Sequence, residues 1–188
     1  MNIQLSWDLF IMVFFVVIVA YSFIIGRDNT LKVILGTYVA AIAADASGNL
    51  VGEYLGGSAL FMKLLQLASV GSEQEAVIFV KVMIFVSLVI LYAVRGAFRV
   101  STVDDRSAPI RIMLLILYSV MSAGLIISCI LVFVSGVSLI GGGGDLTGTA
   151  LWSMYSKSRI IRFLLTNSYI LFSLPALSFL IHSLYTRE

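Results

Sequence analysis

From Leu31 to Gly57 an apolar, helix-length segment carries a small residue at every fourth position: Gly36, Ala40, Ala44, Gly48, Gly52 and Gly56. Such a ridge lets a second helix approach backbone to backbone. In lipid, where burying apolar surface gives helices no reason to associate, close van der Waals contact across small residues is a principal source of adhesion. Four residues of an α-helix turn 400°, so the ridge drifts about 40° per step and suits a right-handed crossing. Its partner is either another helix of the same chain or the same helix of a second copy.

Beside the ridge, one position on, runs a polar row that includes Thr37, Asp45, Asn49 and Glu53. A carboxylate in the middle of an apolar helix is costly in hydrocarbon, so Asp45 should face protein or water. Two readings follow. Asp45 is either a neutral structural group hydrogen-bonded to a serine or to backbone, or a proton- or cation-binding group acting with Asn49 one turn on. Glu53, nearer the helix end, is the third ion- or proton-binding candidate and is expected to be solvated.

With 60% hydrophobic and 12% charged residues, the chain is too apolar to close a polar surface around a soluble core, which places it in the polytopic membrane class. Its net charge of +2 comes from scattered basic residues, which argues against a nucleic-acid surface. The first apolar stretch, Leu9 to Ile25, has no preceding Lys or Arg and, at roughly 17 residues, exceeds a signal-peptide core, so it is expected to be a retained span. Ser6 is its expected N-cap, and Gly26 ends it before a polar turn, Arg27-Asp28-Asn29-Thr30.

The expected architecture is all-α: about five transmembrane helices with one or two short interfacial amphipathic helices. Residues 1–140 form a membrane core with spans at about 9–25, 31–57, 76–94 and 110–138; residues 141–188 hold a glycine-rich linker, an interfacial segment and a final helix kinked at Pro175. Leu60, Phe61, Leu64, Leu65 and Ala68 give 58–70 one apolar face, and Ser72 to Glu75 has the form of a capping box. Lys81, near the start of the next span, is expected to snorkel outward. Arg95, Arg99, Arg106 and Arg111 cluster about one connection and put it on the cytoplasmic side, with the amino terminus outside.

No catalytic constellation is visible. One histidine, His182, and one cysteine, Cys129, cannot supply a metal site or a disulfide, and Gly141 to Gly144 lacks the Lys and Ser or Thr of a phosphate loop. No enzyme activity, metal or cofactor is therefore expected. The expected partners are the lipid bilayer, further copies of the chain or other membrane proteins.

Trp7-Asp8 opening the first span, Gly26-Arg27 after it, the small-rich second helix, Asp105-Arg106 between later spans, and Trp152 with Ser156 and Ser158 resemble the colicin V production protein family. The four-glycine linker and the strongly apolar last helix depart from that pattern. The resemblance implies a non-enzymatic protein of the bacterial inner membrane, an accessory or scaffold for envelope homeostasis or secretion. The residues themselves leave open a small proton- or cation-coupled transporter, or an oligomeric channel lined by the Asp45 helix.

Overall fold

The structure is a computed structural model that describes residues 7–55, 58, 73–95, 108–140 and 158–185. Among these residues every regular element is an α-helix: α1 (Trp7–Ile25), α2 (Arg27–Leu55), α3 (Glu73–Arg95), α4 (Ala108–Val134), α5 (Arg159–Thr166) and α6 (Ser168–Tyr185). The first four are long and apolar enough to cross a membrane, and α5 with α6 makes a fifth if that bent pair is one span. The chain is an integral membrane protein of the helical class.

Only Gly26 separates α1 from α2. Its φ of 80° is a left-handed conformation that glycine adopts without steric cost, so one residue turns the chain. The expected polar turn, 27–30, is instead the first turn of α2. Amino-terminal N–H groups and the helix dipole favour polar side chains there, and Thr30 Oγ1 locks the joint by donating to the carbonyls of Gly26 (2.9 Å) and Ser22 (3.2 Å).

Helix α4 is the centre of the molecule. It packs against α1, α2, α3, α5 and α6, and 67% of its most apolar window is buried, against 11% for α1 and for α3, which therefore present most of their surface to lipid. Tyr118, Leu125, Cys129 and Phe133 of α4 join Leu31, Ile34, Ala40 and Ala44 of α2 and Phe85 of α3 in the main core. The Phe85 and Phe133 rings meet edge to face at 5.5 Å. A smaller cluster of Ile11, Ile127, Leu131 and Ile161 joins α1, α4 and α5.

One sequence expectation fails on this side of the molecule. Helix α4 stops at Val134 rather than running to 138, because the chain turns at Gly136 in the left-handed region (φ 76°). Nearer the carboxyl end α5 and α6 meet at 56° about Asn167, a bend that the sequence does not announce, and Pro175 lies inside α6. Asn167 Nδ2 donates to Phe163 O (2.8 Å), while its own carbonyl accepts from Ile170 N and Leu171 N, so one residue closes one helix and opens the next. Ser158 caps α5 by accepting from Ile161 N (3.0 Å) and donates to the Asp8 carboxylate, tying α5 to the start of α1. The expected N-cap Ser6, the amphipathic segment 59–70, Ser72 of the capping box, the arginine connection 96–107, the glycine joint 141–144 and the interfacial segment 146–157 lie outside the described residues, as does the side chain of His182.

Candidate functional site

The small-residue ridge of α2 lies against α3 of the same chain. A Cβ built on Gly36 would fall 2.7 Å from Tyr92 Cβ, one on Gly48 2.2 Å from Lys81 Cγ, and one on Gly52 3.0 Å from Val77 Cγ2. As the number on α2 rises, its partner on α3 falls, so the two helices run antiparallel with their backbones held close by residues that lack side chains. Ala40 and Ala44 on the same ridge are buried, and Gly56 lies outside the described residues.

That closeness brings Asp45 and Lys81 together. Lys81 does not snorkel outward: it is 4% exposed, and its Nζ lies 2.6 Å from Asp45 Oδ1. The absence of a side chain at Gly48 explains the difference, because the lysine stem lies directly over that glycine and its ammonium reaches a carboxylate less than one turn away on α2. Asp45 is fully buried, and its other oxygen, Oδ2, accepts from Ser138 Oγ and from the backbone N–H of Ile140, each at 2.8 Å. All three contacts are donors to the carboxylate, one of them an ammonium. This is the environment of an ionised aspartate with both oxygens engaged.

The segment that supplies Ser138 and Ile140 follows the turn at Gly136, so the early end of α4 is what places it over Asp45. The Asn49 side chain makes no hydrogen bond to the Asp45 carboxylate. It is exposed, and its Nδ2 donates to Ser138 Oγ (3.1 Å), so the polar group runs Asn49, Ser138, Asp45, Lys81 from the surface inward. Glu53 is exposed and stands apart from this group. Elsewhere on α2, the buried Thr37 hydroxyl donates to its own helix at Val33 O (2.7 Å), and the Tyr38 hydroxyl donates to the Phe172 carbonyl, linking α2 to α6.

Lys81, Ser138 and Ile140 are the members of the cluster that the sequence reading misses. A signal for Lys81 was present: it is an isolated cation inside one apolar span, and Asp45 is an isolated anion inside another, and each lowers the cost of burying the other. For Ser138 and Ile140 there was none, because a backbone N–H becomes a ligand only where the helix ends. Compared with protein-family models, with curated proteins and with solved structures, the chain matches none.

Proposed function

We propose that this chain is a non-enzymatic membrane protein that acts through helix association, as an accessory or scaffold for envelope homeostasis or secretion in a bacterial inner membrane. This is the role that its resemblance to the colicin V production protein family implies. The observation that carries the reading is the enclosure of Asp45: its carboxylate is fully buried and both its oxygens accept from Lys81, Ser138 and Ile140 of the same chain. A charge held this way fixes the relative position of α2, α3 and the turn after α4. The ridge that would have seated copies of α2 around a path is occupied by α3. Partners then meet the protein on its lipid-facing helices, chiefly α1 and α3.

The rival reading, a small proton- or cation-coupled transporter, has one observation in its favour. Hydrogen bonds lead from exposed Asn49 through Ser138 to the buried carboxylate, which gives that ionisable group a polar route toward the surface. Flux in proteoliposomes separates the two. The scaffold reading expects proton and sodium flux equal to that of empty vesicles, whereas flux that appears with the protein and disappears in Asp45→Asn contradicts it.

A further inference from the structure

At the end of the molecule away from Asp45, the amino-terminal turn of α2 and the carboxyl-terminal turn of α3 border an open hollow of about 190 Å³ whose described lining is Asn29, Lys32, Tyr92, Ala93, Val94 and Arg95. Among the described lining residues two are cationic and none is acidic. Lys32 is held in place there: its Nζ donates to Asn29 Oδ1 (2.9 Å), and Asn29 is itself anchored by donating from Nδ2 to Ile25 O (2.8 Å). An ammonium has three protons, and this contact uses one. The amino end of α2 adds the positive pole of its helix, and Arg95, in the last turn of α3, offsets the negative pole of that helix. The nearest acidic residue in sequence, Asp28, is paired with Arg27 rather than lining the cavity.

We propose that this cavity is a binding site for a phosphate-bearing anion, of the kind carried by the headgroup of an anionic phospholipid. Basic hollows between the ends of membrane helices suit such headgroups, and the arginine-rich connection following Arg95 places this end at the cytoplasmic leaflet, where anionic lipids supply the ligand. The apolar residues Ala93 and Val94 and the ring of Tyr92 border the same hollow, so a headgroup seated on Lys32 and Arg95 keeps its acyl chains on the lipid side.

Native mass spectrometry of the full chain in detergent, titrated with phosphatidylglycerol or phosphatidylcholine, tests the site. A cation near a membrane surface contributes roughly fivefold to the affinity for an anionic lipid, so the wild-type protein should retain phosphatidylglycerol about 25-fold better than phosphatidylcholine. Lys32→Gln/Arg95→Gln should abolish that preference, while Lys32→Arg and the exposed pair Arg159→Gln/Arg162→Gln should keep it. A parallel melting series with inorganic phosphate identifies the source. Stabilisation by phosphate that the double variant loses, without a lipid preference, assigns the site to a soluble phosphate instead of a headgroup. Equal retention of both lipids with no effect of phosphate, or a preference that survives in Lys32→Gln/Arg95→Gln, overturns the proposal. Should the double variant fail to fold, Arg95→Gln alone, at an exposed position, should lower the preference about fivefold, and an unchanged preference in that variant overturns the proposal.

Discussion

At the scale of single residues, the fate of Asp45 depends on which donors reach it. Ser138 donates to an ionised, fully buried oxygen, whereas Asn49 donates to Ser138 from an exposed position where water competes. A hydrogen bond to a charged group contributes about 1.5 to 3 kcal/mol and a neutral one about half that. Ser138→Ala should therefore lower stability by about 1.5 to 3 kcal/mol, and Asn49→Ala by less than about 1 kcal/mol, as read from thermal melting in detergent. Equal losses would mean that Oδ2 is solvated and that the turn after Gly136 does not close over it. That Asp45 must face protein was legible from its place in an apolar helix. Its partners were not, because pairing with Lys81 depends on which helix lies over Gly48.

At the scale of elements, the ridge works because it lacks side chains. The Cβ of an alanine at Gly48 would stand 2.2 Å from the Lys81 stem, near its root rather than at its flexible end, so the stem must move and draw the ammonium from Asp45. Gly48→Ala should cost about 1 to 3 kcal/mol from overpacking, with further loss from the strained ion pair. Gly52→Ala, facing a single Val77 methyl at 3.0 Å, should cost less. Light scattering should find the same particle mass for both variants and the wild type; a fall in mass on Gly48→Ala would make the ridge an intermolecular seam. The spans were legible from their apolar lengths, and α1, α3 and the body of α2 lie where hydropathy puts them. The helix ends were harder to read. Polar residues 27–30 read as a turn but suit a helix amino terminus equally well, and Gly136 ends α4 inside a run whose hydropathy does not change. Proline drew attention to 175, whereas the bend between α5 and α6 falls where the Asn167 side chain and carbonyl can serve two helices at once.

At the scale of the whole molecule, the chain is an integral membrane protein whose described residues hold four helices long and apolar enough to span, or five with the bent α5–α6 pair, arranged around α4. The positive-inside bias predicts that the cavity end, with Lys32 and Arg95, is cytoplasmic and that Trp7 lies on the opposite face. In a Cys129→Ser background, Trp7→Cys should react with a membrane-impermeant thiol reagent in intact cells and Arg95→Cys only after lysis; the reverse pattern would invert the topology. The central claim is that Asp45 and Lys81 lock α2 to α3 within one chain, and a double-mutant cycle tests it most directly. Removing one partner leaves a buried charge uncompensated, so Asp45→Leu and Lys81→Met should each lower stability by about 3 to 5 kcal/mol, while the apolar double variant should regain most of that loss at unchanged particle mass. Single and double losses that simply add would mean that the two side chains do not interact, and would contradict the account.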